Sequence, residues 1–310
     1  MGVVVNRIKT WAGPHVQRMS VPLTRALVPE LKMRFGSYWP HDRGVGSYSR
    51  PVWGPMAPGA DGFPVPPREL WAYYGTSEDS YLASGREDSE VMAKILADSG
   101  TKLADAGSIL DLGCAGGRMI RHIAAMAPEA RIWGVDIWSS AILWCQDHLC
   151  PPCSFAVTSM SPHLPFEDRS FGLVYCGSLF THIDDPAEAW FAELHRVLCP
   201  GGRLYFSIHD QHSVRILEGE GDPAAYAGYY ERTPGQEYWD SWVAELKRDP
   251  AYQRFRRGEA YMISVGRDMQ ARDVMWNTDV LCERLSWGYR RLSVNPHSYG
   301  QQSTVLLERI

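Results

Sequence analysis

No apolar run of about 18 residues, the length that a membrane-spanning helix needs, occurs in this 310-residue chain. Residues 1–25 also lack the continuous apolar centre of a secretory signal. A myristoylation signal would require serine or threonine where the chain has Asn6. These absences predict a cytoplasmic protein without a transmembrane segment.

The cysteine pattern of a disulfide framework or of a metal site is also missing. The chain has seven cysteines, an odd number that fits reduced thiols in a cytosolic protein better than a disulfide framework. Cys150 and Cys153 form a C-x-x-C pair, but no second such pair and no histidine pair at ligand spacing accompanies it. We therefore predict no metal site.

A strongly basic balance is absent as well. The net charge of −5 argues against nucleic acid as an obligatory partner. Residues 1–50 are the exception, because they hold eight Lys/Arg and two Asp/Glu. Such a basic arm could touch a membrane surface, although a solvated lead-in explains it more simply.

Two regions follow from the pattern of residue types. Residues 1–85 are predicted to be an N-terminal extension, rich in Pro, Gly and aromatic residues over 36–68. From residue 86 onward, strand and helix patterns alternate, which indicates βαβ units with a parallel sheet. The predicted strands are 108–112, 131–136, 153–158, 171–176, 202–208, 289–295 and 302–309, and the predicted helices are 88–99, 117–126, 139–148, 186–198 and 271–285.

These elements predict a Rossmann-like, doubly wound α/β fold with a mostly parallel seven-stranded sheet and an antiparallel C-terminal edge. Residues 210–258 interrupt the alternation with polar and aromatic sequence. We interpret this segment as an insertion on the substrate side of the domain 86–310, because loops at such positions commonly determine specificity.

The strongest chemical signal is a glycine turn (residues 113–117) between the first two predicted strands. Asp111 stands two residues before the first glycine, and Asp136 ends the second strand. Glycine allows sharp turns and close approach to a ligand, and an acid after the second strand can hold a ribose diol. The pattern therefore indicates a pocket for a cofactor that carries a nucleoside.

Two common nucleotide sites fit poorly. The glycine spacing does not match the G-x-G-x-x-G of an NAD site, and Gly117-Arg118-Met119 lacks the Lys-Ser/Thr of a P-loop. In addition, Asp111 would repel a pyrophosphate and attract a cationic amine. An NAD-dependent dehydrogenase is therefore disfavoured.

Further motifs follow in a fixed order: LPFEDRSF at 164–171 and RVLCPGGR at 196–203. With D-x-G-C-x-x-G-R at 111–118 and the acid Asp136, the chain resembles the class I S-adenosylmethionine (SAM)-dependent methyltransferases over about residues 88–210. The resemblance implies SAM as cofactor.

The resemblance also implies which positions contact SAM. The turn would hold the methionine part, Asp136 the ribose, the loop after the third strand the adenine, and the end of the fourth strand the amine or the methyl group. In chain order these residues are Asp111, Gly113, Ala115, Gly116, Gly117, Asp136, Ile137, Ser159, Met160, Cys176 and Gly177. Ala115 replaces the family's middle glycine, and we expect a negative φ there that accommodates its methyl group.

Methyl transfer from SAM is an in-line displacement, in which positioning the nucleophile supplies much of the rate. A base is needed only when the acceptor must lose a proton. His182 and His209 follow the fourth and fifth predicted strands, where ligands gather in open α/β sheets, and they are the candidate catalytic residues.

The sequence thus predicts a SAM-dependent methyltransferase that acts on oxygen or nitrogen of a small-molecule, glycan or lipid-linked acceptor. Two alternatives remain open at this point. One is an RNA or protein methyltransferase, which would require a basic face around the pocket. The other is a SAM-fold protein that binds without transferring a methyl group.

Overall fold

A computed structural model describes residues 53–184, 186–220, 236–265 and 273–310. These residues belong to one compact unit, Pro51–Ile310. The basic arm, much of the Pro-rich segment and part of the insertion at 210–258 lie outside the described residues.

Among the described residues, nine strands form one mixed sheet, with the order β3-β2-β1-β4-β5 and two branches beyond β5. β9 pairs antiparallel with residues 203–208 of β5, and β7 pairs parallel with His209 and Asp210 at its end. The strands are β1 (Ser108–Leu112), β2 (Arg131–Asp136), β3 (Ser154–Val157), β4 (Phe171–Cys176), β5 (Leu198–Asp210), β6 (Met262–Val265), β7 (Asp273–Trp276), β8 (Tyr289–Tyr299) and β9 (Gln302–Arg309).

Helices cover both faces of the central strands, which explains why every residue of β1 is buried. Apolar residues of α1, α2 and α3 form one core with one face, and those of α4 and α8 form a second core with the other. The helices are α1 (Glu78–Asp98), α2 (Ile120–Met126), α3 (Ser139–His148), α4 (Ala187–Val197), α5 (Gln211–Leu217), α6 (Gln236–Arg248), α7 (Tyr252–Arg256) and α8 (Thr278–Arg284).

The predicted fold class is confirmed, and the seven predicted strands are all present, but the predicted number of seven strands is wrong, because β6 and β7 bring the described sheet to nine. The helix predicted at 271–285 is wrong in its first part, because residues 273–276 form β7. Val274, Met275 and Trp276 are fully buried beside β5, and this tertiary burial favours the extended conformation. The helix begins only at Thr278, where the Asn277 side chain accepts a hydrogen bond from the Val280 N–H.

Helix α1 begins at Glu78, well before the predicted start at residue 88. A capping box explains the earlier start: the Ser77 hydroxyl accepts from the Ser80 N–H, and the Ser80 hydroxyl accepts from the Ser77 N–H. The apolar stripe used for prediction, by contrast, is clear only in the second half of this helix.

Residues 53–77, here called the N-terminal strap, pack against the first of the two cores. The guanidinium of the fully buried Arg121 holds the strap, because it forms an ion pair with Asp61 and donates to the carbonyl oxygens of Phe63 and Pro64 at 2.9 Å each. Arg121 lies on α2, directly after the glycine turn. The strap therefore lies beside the part of the chain that carries the cofactor motif.

Within the described ranges, no helix combines the length and apolar character needed to cross a bilayer.

Candidate active site

The candidate site lies at the edge of the sheet where parallel strands end. Asp111 of β1 is in register with Gly134 of β2. Asp136, two residues further along β2, therefore lies level with the start of the glycine turn. β3 and β4 flank this pair on either side and run in the same direction. One edge of the sheet consequently holds Asp111, the glycine turn, Asp136 and the loops after β3 and β4. Ligands bind at this edge in open α/β sheets.

Two glycines make the turn itself possible. Gly113 has a φ of +86° and Gly117 a φ of +80°, a region that side chains rarely adopt. The N–H groups of Gly113 and Cys114 both donate to the Val135 oxygen, at 2.8 and 3.2 Å, which fixes the turn to β2. A Cβ on Gly117 would also lie 2.5 Å from Leu149 Cδ1. Larger residues are therefore excluded at Gly117 by conformation and by space.

The expected negative φ of Ala115 is wrong. Its φ is +44°, the left-handed region that costs an alanine about 1–2 kcal/mol relative to glycine. The alanine N–H donates to Asp136 Oδ2 at 2.8 Å, and this hydrogen bond to a carboxylate compensates the strain. Strain held in place by a neighbouring hydrogen bond is frequent at ligand sites.

Asp136 has the geometry that a ribose-binding acid requires. Its Oδ1 accepts from the Trp138 N–H at 2.8 Å, and its Oδ2 accepts from Ala115. Burial raises the pKa of this carboxyl, whereas the hydrogen bonds from Trp138 and Ala115 act in the opposite direction. A carboxylate has about four lone-pair sites. Each oxygen therefore retains capacity for one hydroxyl of a ribose.

Asp111 is buried, and it accepts a hydrogen bond from the Tyr175 hydroxyl at 2.9 Å. Burial raises the pKa of Asp111 to about 7, the tyrosine bond opposes the shift, and the negative charge of Asp136 adds to it. The charge of Arg118 also lowers the pKa of Asp111, but no ion pair with Asp111 is present among the described residues, and such a buried carboxylate favours a cationic ligand. A carboxylate at this position can accept hydrogen bonds from the amino group of SAM.

The pKa of Asp111 predicts that SAM affinity depends on pH. Below about pH 7 the carboxyl binds a proton that the SAM amine must displace, while above about pH 8 the amine itself loses its charge. We expect affinity to rise roughly tenfold from pH 5.5 to 7.5 and then to fall. Calorimetric titration over this range measures the effect.

The matched control for this prediction is 5′-methylthioadenosine, which lacks the amino acid part. Its affinity should not change over the same pH range. Asp111→Asn should likewise remove the dependence for SAM, since the variant carries no carboxyl group. A SAM affinity independent of pH in the wild type would contradict the placement of Asp111 beside the amine.

The residues predicted for the adenine lie beyond β2 and β3. Val157 is in register with Asp136, and the Thr158 N–H donates to the main-chain carbonyl oxygen of Asp136 at 2.9 Å. Ser159 and Met160 therefore follow at the same edge, although the Ser159 hydroxyl is engaged in a local turn with Ser161. Ile137, between Asp136 and Trp138, is half-buried.

The end of β4 contributes backbone more than side chains. Cys176 is fully buried in the core on the opposite face of the sheet from Asp111 and Tyr175, so only its main chain faces the edge. At Gly177, a Cβ would lie 2.5 Å from the Tyr299 hydroxyl. Glycine thus allows Tyr299 to approach the strand end, a contact that spacing in the sequence did not reveal.

The two candidate catalytic histidines differ in environment. His209, at the end of β5, is buried, and burial with the nearby His182 lowers its pKa to about 3. It is therefore uncharged at neutral pH. His182 is exposed and lies in the turn after β4, where its N–H donates to the Leu179 oxygen at 3.0 Å. Their roles in catalysis stay predictions.

Arg118 is a residue of this site that sequence reasoning missed. It forms a 2.7 Å ion pair with Asp88, lies 3.8 Å from the centre of the Tyr74 ring, and donates to the Tyr299 hydroxyl. The Tyr74 and Tyr299 hydroxyls are 3.0 Å apart. Arg118 therefore joins the turn to the strap and to β8. Its place at the end of D-x-G-C-x-x-G-R was the available signal.

The strap also contacts Gly116. A Cβ at Gly116 would lie 2.7 Å from the Leu70 carbonyl oxygen, and the Tyr81 hydroxyl donates to the Gly116 oxygen at 3.4 Å. The ring of Tyr81 stacks on that of Trp71 with centroids 5.1 Å apart. The outer side of the glycine turn is thus covered by the strap and the start of α1.

Strand order, glycine turn and acids together define a nucleoside-binding Rossmann-like site. A family model described as a methyltransferase domain matches residues 110–206, from within β1 to within β5. This segment is a methyltransferase domain of the class I SAM-dependent type, and SAM is the cofactor of that class.

Similar proteins include methyltransferases of different substrates. The malonyl-[acyl-carrier protein] O-methyltransferase of Hahella chejuensis is 33% identical over 119 residues, which are 37% of this chain and 42% of that protein. The demethylspheroidene O-methyltransferase of Rhodobacter capsulatus is 29% identical over 147 residues, or 44% of this chain and 36% of that protein. The chain thus spans less than half the length of either relative.

Among solved structures, a SAM-dependent methyltransferase of Mesorhizobium loti aligns with 71% of this chain and 98% of its own, at 15% identity and a TM-score of 0.46.

Proposed function

We propose that this protein is a SAM-dependent methyltransferase that transfers the methyl group to oxygen or nitrogen of a small-molecule, glycan or lipid-linked acceptor. The observation that carries the proposal is the pair of acids around the glycine turn. Asp111 is buried where a cationic amine would stand, and Asp136 retains hydrogen-bonding capacity for a diol. Dinucleotide sites need no buried acid in front of the turn.

SAM supplies, when bound, a methyl group on a sulfonium centre that is already electrophilic. The chain has to hold the cofactor, align the acceptor with the methyl group and exclude water. Asp111 and Asp136, on either side of the glycine turn, would hold the cofactor. The ends of β4 and β5, with Gly177, His182 and His209, provide the surface on which the acceptor would lie.

The different environments of the histidines suggest different roles. Protonation of His209 is disfavoured by burial, so it suits a neutral hydrogen-bonding role that orients the acceptor. His182 is exposed and lies in the turn after β4, which makes it the better candidate for a base if the acceptor requires one. Because much of the rate can come from alignment, the loss of either group would lower turnover more than cofactor affinity.

Two measurements test the proposal. Calorimetry with SAM, S-adenosylhomocysteine (SAH) and NAD decides the cofactor, and we expect binding of the first two only. Mass-shift screening of a metabolite extract with isotopically labelled SAM then identifies the acceptor. Binding of NAD without SAM would refute the proposal, and His182→Ala should retain SAM binding while losing methyl transfer.

The alternatives give different results in the same experiments. A protein that binds without catalysis would bind SAM and SAH but label nothing. An RNA or protein methyltransferase would label macromolecules and leave the small molecules unlabelled. Residues 51–310 carry the whole excess of acidic over basic residues in the chain. This negative charge favours a small-molecule acceptor over a nucleic acid.

A further inference from the structure

The turn between β8 and β9, residues 299–302, is unusually buried for a hairpin turn. Hairpin turns normally lie at the surface, where water satisfies their polar groups. Here the side chains of Gln301 and Gln302 are only 1% and 5% exposed, and Tyr299 is also buried. Two buried glutamines in one turn need hydrogen-bond partners.

Gln302 has such partners at both ends of its amide. Its Oε1 accepts from the Ser207 hydroxyl at 2.7 Å, and its Nε2 donates to the Ser178 hydroxyl at 2.8 Å. Ser207 in turn accepts from the Ser178 N–H at 2.6 Å. Gln302 therefore fastens the turn to the ends of β4 and β5.

Gln301 shows the opposite situation. Within the part of the chain that the structure describes, neither its Oε1 nor its Nε2 has a hydrogen-bond partner, although both atoms are buried. Only its main chain is engaged, since the carbonyl oxygen accepts from the Ser213 hydroxyl at 2.8 Å. A buried amide without partners destabilises a protein, so its presence calls for an explanation.

The position of Gln301 provides one. Ser303 is in register with Ile208, which places the preceding residues beside the last two residues of β5. Tyr299, at the other side of the turn, lies against Gly177 at the end of β4. Gln301 thus belongs to the edge where the acceptor would lie, beside the end of β5 that carries His209 and next to Gln302, which contacts the turn before His182.

We propose that Gln301 binds the methyl acceptor, and that the acceptor carries an uncharged group with both a hydrogen-bond donor and an acceptor, such as a hydroxyl or an amide. A carboxamide offers both functions itself and matches such a group. The three side chains that hydrogen-bond Gln301 and Gln302, those of Ser178, Ser207 and Ser213, are uncharged hydroxyls. This inference rests on the proposed function and narrows its substrate class.

Stability separates a ligand-binding amide from a structural one. In Gln301→Met an apolar side chain of similar length replaces an amide without partners, and we expect the melting temperature of the free protein to rise by about 2 °C or more. Gln302→Met is the matched control. It removes two hydrogen bonds and should lower the melting temperature by a similar amount. A lower melting temperature in Gln301→Met would overturn the inference.

Ligand binding gives the second readout. With SAH present, benzamide and benzyl alcohol should raise the melting temperature of the wild type, and benzoate and toluene should not. The shift should disappear in Gln301→Met, while its SAH affinity, measured by calorimetry, stays unchanged. Absence of a shift in the wild type, or an equal shift in the variant, would refute the assignment of Gln301. Failure of the proposed function would be seen separately, as a lack of SAM binding or of methyl transfer.

Discussion

Asp136→Ala is expected to weaken SAM binding at least about 100-fold. A hydrogen bond to a charged acceptor contributes about 1.5–3 kcal/mol, and the ribose would form two of them. The substitution also releases Ala115, whose N–H is bonded to Asp136 and whose φ of +44° is otherwise strained. The methionine and ribose ends of the pocket would therefore be disturbed together. Calorimetric titration with SAM and SAH measures the loss.

Two further variants make this result interpretable. Asp168→Ala removes an exposed carboxylate that pairs with Arg196 at 2.8 Å, away from the turn, and should leave SAM affinity unchanged. Asp136→Asn keeps one oxygen acceptor and should lie between the wild type and the alanine variant. An affinity of Asp136→Ala within about threefold of the wild type would show that the ribose assignment is wrong.

Arg121→Met is expected to lower the free energy of unfolding by about 3–5 kcal/mol, because it leaves the Asp61 carboxylate without its buried partner. Methionine retains most of the volume, so the loss reports charge and hydrogen bonds more than a cavity. Urea denaturation followed by fluorescence measures it. The oxygens of Phe63 and Pro64 lose their donor at the same time.

Arg257→Met is the control for this prediction. Arg257 and Glu259 also form a close ion pair, but both side chains are more than half exposed, so removal should leave the free energy of unfolding unchanged within error. An equal effect of both variants would contradict the role given to burial.

The Asp61 pair also has a pH dependence with a defined sign. Burial raises the pKa of Asp61, but the bond and charge of Arg121 outweigh it and hold the pKa below the usual 3.8. A lowered carboxyl pKa means that the stabilisation is present above about pH 4 and is lost as the pH falls through the folded-state pKa. Arg121→Met should therefore differ least from the wild type in acid.

The sequence predicted the parts of the site that depend on local pattern. Strands β1 and β2 were predicted with their exact limits because their apolar runs are bounded by turn residues and an acid. Asp111 and Asp136 followed directly from these limits. Parallel pairing then required that both acids reach the same edge, and the register of β1 with β2 agrees.

Contacts between distant parts of the chain were beyond such reasoning. Arg118 meets Tyr299 from 181 positions away, and no periodicity links the two. The strand β7 was predicted as helix because only its burial beside β5 favours extension. Similarly, the φ of Ala115 depends on a hydrogen bond that its N–H donates to a carboxylate 21 residues further along the chain.

The joining of Arg118 to Tyr74 and Tyr299 has a consequence for protein synthesis. The glycine turn is translated before one of the groups that fixes it, because Tyr299 is the last residue of β8. A nascent chain that ends before Tyr299 would present the turn without this support. The ability to retain cofactor would then appear only after β8 has been synthesised.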